Sequence, residues 1–330
     1  MNKKVVVKAV HNHPKFRPVT KSSNKSSVPR QADAAPYNSC CAFFLQAFRN
    51  ELCTLESLGS HPNIVKLLGR SSDCTSIVLE MAENDLHTII STRGSQLDLS
   101  SIKRWSQNIL EGVAYLHNMG VTHTDLKPEN VLISPDKVAK ICDFGIAQRG
   151  IPGGSWFVAS EITTLWYRAP ELLMGARTFD QMVDLWAVGC ILVEMLYGKP
   201  LFKGQLNTVC KCPEATHRNF NSDQLAKIFA IAGSPKTFEG LECVNHFQSW
   251  PKYARRIDEI VYSLHKNKRV VRDIKNQGSK QEPSGSDWVE VISGLLRLNP
   301  RERYSARHAL TKRLFGQQAA KFFMKLQGIA

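Results

Sequence analysis

His123-Thr124-Asp125-Leu126-Lys127-Pro128-Glu129-Asn130 is the stretch that decides how this chain is read. It sets an acid, a base and an amide within eight residues, directly ahead of the apolar run Val131-Leu132-Ile133. Thirteen residues after Asn130, Cys142-Asp143-Phe144-Gly145 brings a second acid. A packed interior has no use for that set of polar groups, but the transfer of a phosphoryl group does. Such chemistry needs an Asp to take a hydroxyl proton, a Lys to neutralise the moving group, and an Asn with a second Asp to hold magnesium. Either fragment alone would be an ordinary turn, because Asp and Gly bend the backbone for local reasons. Their order and spacing, followed by Thr163-Thr164-Leu165-Trp166-Tyr167-Arg168-Ala169-Pro170-Glu171, remove that explanation.

Together these stretches resemble the catalytic loop and magnesium-binding motif of protein kinases. The resemblance implies an α+β, two-lobed protein kinase fold. A reduced, β-rich small lobe is expected over residues 1–81 and a larger, mainly helical lobe over 82–330. It also implies roles: Asp125, Lys127 and Thr164 as the catalytic group, Asn130 and Asp143 as magnesium ligands, and ATP with Mg2+ as cofactors. Lys127 and Thr164 together resemble the serine/threonine rather than the tyrosine branch.

Working upstream, Val5-Val6-Val7-Lys8 is a β-branched run that predicts a strand. By resemblance, Lys8 would hold the α- and β-phosphates of ATP. No Gly-rich phosphate loop precedes it, and the cluster Gly150, Gly153, Gly154 comes after Asp143, too late to serve. The expectation is that the first two strands are encoded upstream. Residues 11–38, rich in Lys, Ser, Pro and Asn, predict a flexible insertion. From Cys41 a helix is expected, with Phe44, Phe48, Leu55 and Leu58 on one stripe and Glu51 on the same stripe. A carboxylate buried there needs a partner, and Lys8 is the natural one. His61-Pro62-Asn63-Ile64-Val65 would end that helix and open a strand. Ser76 to Leu86 predicts a strand running into a polar linker. By resemblance it is the hinge: Leu79 the gatekeeper, the backbone of Glu80 and Ala82 holding adenine, Asp85 reaching the ribose, and Leu132 forming the floor beneath the base.

Downstream, a helix from Ser101 carries Ile102, Trp105, Ile109, Val113 and Leu116 on one face and stops at Gly120. Asp184 to Gly198 is apolar on nearly every face and predicts a buried helix, whose first Asp would tie down the catalytic loop. Glu171 and Arg303 are expected to form a buried ion pair. Ser222 to Phe229, Gly233-Ser234-Pro235 and above all Thr164 to Glu171 resemble cyclin-dependent kinases, with loops expected at 205–221 and 262–286. Arg168, beside Trp166 and Tyr167, resembles the arginine that shapes a proline-preferring pocket. The implied role is phosphorylation of serine or threonine, proline-directed, in cell-cycle or transcription control.

The chain departs from that family at four linked positions. The phosphothreonine that switches such kinases on is replaced by Ala159, and the three arginines that would grip it are Asn50, Thr124 and Gln148. Joint loss fits a kinase that needs no activating phosphate. Ser160 or Ser155 with Arg49 and Arg149 would form a shifted version of the switch. This independence resembles the kinases that activate cyclin-dependent kinases, so the expected partner is a protein substrate, with another cyclin-dependent kinase as a candidate. The helix before Glu51 lacks the cyclin-binding sequence, which leaves a cyclin requirement open.

Composition narrows the rest. A hydrophobic content of 43% excludes general disorder. The excess of 43 Lys+Arg over 29 Asp+Glu lies largely in two polar stretches, Lys15 to Arg30 and Lys266 to Lys280, and comes without a zinc-finger, RNA-binding or helix-turn-helix pattern. A nucleic-acid partner is therefore not expected. Nine cysteines and no apolar leader point to a reducing compartment, nucleus or cytoplasm, and no apolar run reaches membrane-spanning length. Cys210, Cys212 and His217 lack a fourth metal ligand at a recognised spacing. The rival reading is a non-catalytic kinase-like binding module, motivated by the absent phosphate loop.

Overall fold

Stiff β-branched side chains favour extended backbone, and the run at Val5 forms strand β1 (Val5–Ala9). The structure, a computed structural model, describes residues 5–9, 35–157, 163–206, 220–235, 251–273 and 283–316. After β1 come the long helix α1 (Ala35–Leu58) and strands β2 (Leu67–Arg70) and β3 (Ser76–Glu80). β3 lies between β1 and β2 and is antiparallel to both. The register sets Lys8 opposite Ile77 and Val6 opposite Leu79. Cross-strand partners share a face, so Lys8 lies on the face of the buried Ile77 and Leu79, which packs towards α1. Val5 and Val7 fall on the other face, and all three valines of the run are exposed.

On α1, Phe48, Leu52, Leu55 and Leu58 are buried at helical spacing. The helix starts at Ala35, earlier than the expected Cys41, so residues 35–38 are helical and not part of an insertion. No apolar period marks that first turn, and Pro36 is compatible with it because first-turn amides have no intrahelical acceptor. The rest of the expected insertion lies outside the described residues.

Strand β4 (Asn84–Asp85) leads into α2 (Leu86–Arg93), and α3 (Leu99–Asn118) follows. Asp98 caps α3 by accepting from the Ser101 amide at 2.7 Å. The predicted apolar face of α3 is buried along its length. Beyond it, Gly120 has φ +69°, and a Cβ there would lie 2.1 Å from the Gly150 carbonyl oxygen. Only glycine fits this crossing, where Gly150 also donates to the Gly120 carbonyl at 2.9 Å.

Strands β5 (Val121–Thr122), β6 (Val131–Ile133), β7 (Ala139–Ile141) and β8 (Gln148–Arg149) frame the stretch His123 to Asn130, with β6 between β4 and β7 and β5 paired to β8. β9 (Ser155–Phe157) precedes α4 (Pro170–Leu173) and pairs antiparallel with β10 (Thr178–Asp180). Helix α5 (Met182–Tyr197) is buried on almost every side and ends in Gly198 at φ +85°. Around it stand α6 (Ser222–Ala232), α7 (Ile257–Asp273), α8 (Gly285–Leu295) and α9 (Ala306–Leu310). The result is a small strand-rich part joined to a larger helical part.

Helix α7 corrects the expected loop at 262–286. Residues 262–273 are helical, because Ile257, Val261, His265 and Lys268 line one buried face despite the polar composition. Lys268 is accommodated by donating to the Leu97 carbonyl at 3.0 Å, and burial lowers its ammonium to about 8. Residues 207–219, within the other expected loop, lie outside the described residues. Among the described residues, no helix is long and apolar enough to cross a membrane.

Candidate active site

The loop between β5 and β6 is held from below by α5. Asp184, on the first turn of α5, is buried and accepts from the backbone amides of His123 at 2.8 Å and Thr124 at 2.9 Å, and pairs with His117 Nε2 at 2.9 Å. A buried carboxylate is tolerated only with such a set of donors. The same contacts hold Thr124 at φ +65°, a conformation that costs a β-branched residue about 1–2 kcal/mol. His123 is fully buried; its Nδ1 accepts from the Asp125 amide at 3.2 Å, so the proton sits on Nε2, facing the Cys142 carbonyl at 2.9 Å.

That frame presents Asp125, Lys127 and Thr164 to one another. Asp125 Oδ1 accepts from both the amide and the hydroxyl of Thr164, each at 2.9 Å. Asp125 Oδ2 accepts from Lys127 Nζ at 2.7 Å, and Lys127 also reaches Thr164 Oγ1 at 3.1 Å. Asn130 Nδ2 donates to the Asp125 carbonyl at 2.8 Å. Asn130 Nδ2 also reaches Asp125 Oδ2 at 3.5 Å, so each carboxylate oxygen has two donors, the long one being on Oδ2.

Across the cleft, Lys8 Nζ lies 2.5 Å from Glu51 Oε2 and 3.6 Å from Asp143 Oδ1. Burial by itself lowers the Lys8 ammonium, but the charge and hydrogen bond of Glu51 outweigh it and hold Lys8 above its ordinary value. Glu51, only 2% exposed, is raised by burial and drawn back by Lys8. The helix stripe and the register of β1 thus bring the expected pair together from 43 residues apart in sequence. Asp143, at φ +66°, belongs to the segment that runs from β7 towards β8.

The expected hinge residues are less uniform. Leu79 is buried on β3 and Leu132 partly buried on β6, strands of two different sheets. Among the described residues, neither the N–H nor the C=O of Ala82 enters a hydrogen bond. Glu80 donates its amide to the Lys66 carbonyl at 3.0 Å, and its carboxylate takes the Lys66 amide at 2.7 Å and Lys140 Nζ at 2.9 Å. Asp85 caps α2 instead of standing free: its oxygens accept from the amide and hydroxyl of Thr88, both at 2.7 Å. Burial would raise the Asp85 carboxyl, and these bonds more than reverse it. Asp followed three residues later by Thr was a visible capping signal.

Asn130 and Asp143 offer an amide and a carboxylate oxygen, hard donors of the kind magnesium takes. With its nitrogen bound to Asp125, Asn130 has Oδ1 as its free donor atom. Among the described residues, no group of three or more His, Cys, Asp or Glu could hold a metal ion alone. The pair suits an ion whose remaining positions are filled by phosphate and water. Ala159, Ser160, Cys210, Cys212 and His217 lie outside the described residues.

Beneath the site, Glu194 of α5 accepts from the Tyr167 hydroxyl at 2.8 Å. Burial pushes its carboxyl from the ordinary 4.5 up to about 7. Between those values the folded chain keeps a proton that the unfolded chain releases, so this group lowers stability as pH rises through the window. Glu194→Gln should remove that contribution: the stability of the variant relative to the native chain should increase from pH 4.5 to about 7 and then level off. Urea unfolding at a series of pH values measures this, and parallel pH profiles would contradict it.

A family model described as protein kinase domain matches residues 4–315 of the chain.

Proposed function

Since this chain belongs to the protein kinase domain family, we propose that it transfers the γ-phosphate of ATP to serine or threonine in protein substrates, preferring an acceptor followed by proline. Asp125 Oδ2 takes the hydroxyl proton, because its contact with Asn130 is long, at 3.5 Å, whereas both bonds to Oδ1 are 2.9 Å. Thr164 fixes the carboxylate plane, and Lys127, bonded to both, places its ammonium beside the group in transit. Lys8, held by Glu51, aligns the α- and β-phosphates. Asn130 and Asp143 would hold magnesium, which supplies charge neutralisation on the phosphates. Leu79 and Leu132 would enclose adenine, with the free backbone groups of Ala82 at its edge, Glu80 beside them and Asp85 near the ribose. Most of the rate comes from positioning and fixed charge.

The proline preference rests on one observation. Thr163 stands at φ +59°, and its carbonyl is turned inward to accept from Arg168 Nη2 at 2.9 Å. Directed at Arg168, that carbonyl is turned away from the amide of the residue after the acceptor. A buried N–H left unpaired costs about 1–3 kcal/mol; proline has no N–H to leave. The likeness of Thr164 to Glu171 and of Ser222 to Phe229 to cyclin-dependent kinases supports the same assignment.

The test compares kcat/KM on matched peptides carrying Ser-Pro, Ser-Ala and Tyr-Pro. Ser-Pro should exceed Ser-Ala by roughly tenfold, the equivalent of about 1.4 kcal/mol, and Tyr-Pro should not be phosphorylated. Equal use of Ser-Pro and Ser-Ala would remove the proline preference, and phosphorylation of Tyr-Pro would remove the serine/threonine assignment.

A further inference from the structure

The segment after Asp143 is held by three uncharged side chains. Asn50 Nδ2, on α1, lies 3.2 Å from the carbonyl oxygen of Phe144, 3.1 Å from that of Gly145 and 2.9 Å from that of Ala147. Thr124 Oγ1 donates to the carbonyl of Ile146 at 2.9 Å, and Gln148 Nε2 reaches the same oxygen at 3.2 Å. Four consecutive carbonyls, 144 to 147, are thus taken up by an amide, a hydroxyl and a second amide. These are the positions at which the sequence departs from a phosphate-gripping arginine set.

Two consequences follow from the chemistry. The acceptors are main-chain oxygens, so the hold does not depend on any charge carried by the segment's side chains. Asn50 also directly precedes Glu51, so a single turn of α1 grips Lys8 through one residue and the Asp143 segment through the other. An arginine cluster would need a phosphate to offset its mutual repulsion; amides and hydroxyls need none.

We propose that Asn50 is a positioning residue for Asp143: with Thr124 it latches the loop after Asp143 to α1 and the catalytic loop, keeping Asp143 in place with no phosphate on the segment that follows. The proposal rests on the kinase reading given above, which makes Asp143 a magnesium ligand.

The experiment uses the full chain, Asn50→Ala, and Thr124→Val, which removes the hydroxyl while keeping the shape. Two quantities are read: the magnesium concentration giving half-maximal peptide phosphorylation, and magnesium-dependent ADP binding by calorimetry. Removing a group bonded directly to a metal ligand typically costs 10–100-fold in metal affinity; Asn50 and Thr124 hold the backbone just after the ligand, so the low end of that range is expected. Both variants should therefore raise the magnesium requirement by roughly tenfold, with KM for the peptide unchanged. A merely structural role would lower the active fraction and leave the magnesium requirement where it was, which would overturn the proposal. Wild-type chain treated with a phosphatase, and shown by mass spectrometry to carry no phosphate, should keep its full rate; loss of activity on dephosphorylation would also overturn it. If the native chain transferred no phosphate, the kinase reading would fail on its own. Calorimetry would then still decide the latch: weaker magnesium-dependent ADP binding in both variants would sustain it, and unchanged or absent binding would end it.

Discussion

Asp125→Asn is expected to lower kcat for peptide phosphorylation by about 10²- to 10⁴-fold, the range carried by a positioned proton acceptor, while magnesium-ADP binding stays close to that of the native chain. The substitution preserves shape, and its amide oxygen can still accept from Thr164. Its nitrogen, however, takes the place of Oδ2 and faces Lys127 Nζ, which lies 2.7 Å from that oxygen in the native chain. A donor there can neither accept the substrate proton nor hold Lys127 beside the moving phosphoryl group. Steady-state kinetics on a Ser-Pro peptide, with ADP calorimetry on the same preparation, separates this from misfolding. A native rate in the variant would remove Asp125 from the chemistry.

Arg303→Met should be the most damaging single change to stability, at about 3–5 kcal/mol, because it strands a buried carboxylate. The guanidinium is 0% exposed and meets Glu171 in a bidentate pair, Nη1 to Oε1 and Nη2 to Oε2, both at 2.8 Å. It also donates to the carbonyls of Met182 at 2.7 Å and Arg297 at 3.0 Å, and lies 5.4 Å from the Trp186 ring centre. One side chain thus ties α4, the start of α5 and the turn before α9. Adding Glu171→Gln should recover part of the loss by removing the stranded charge. Denaturant midpoints of the native chain, the single variant and the double variant test this, and an unchanged midpoint for Arg303→Met would contradict it.

The parts of the site that were legible in the sequence share a cause. Asp125, Lys127, Asn130 and Asp143 are polar residues whose most economical explanation is chemistry, so type and spacing were enough to single them out as candidates. Glu51 was legible because a carboxylate on an apolar stripe demands a cation, and the structure supplies Lys8. The Arg303–Glu171 pair, and Asp184 beneath the catalytic loop, were expected from the kinase resemblance, and the structure brings both sets of contacts together.

What stayed hidden depended on backbone geometry or on contacts far apart in sequence. Asn50, Thr124 and Gln148 were visible as missing arginines, but their reuse as donors to carbonyls 144–147 depends on how the loop folds back on α1. Thr163 turns its carbonyl towards Arg168 through a left-handed backbone that no threonine announces. The pairing of β9 with β10 joins segments separated by α4 and leaves no local trace. Helix α7 was hidden by its many charged residues, although Ile257, Val261 and Leu264 kept the period. That Asp85 also caps α2 went unread, although Asp is a favoured capping residue.

The most direct test of the whole account is transfer of labelled γ-phosphate from ATP to a Ser-Pro peptide by the full chain, with magnesium and with the magnesium chelated. The account predicts label on serine in magnesium and none after chelation. No transfer in magnesium from a chain that still binds magnesium-ADP would contradict it, and would mean that the assembled site holds nucleotide without using it.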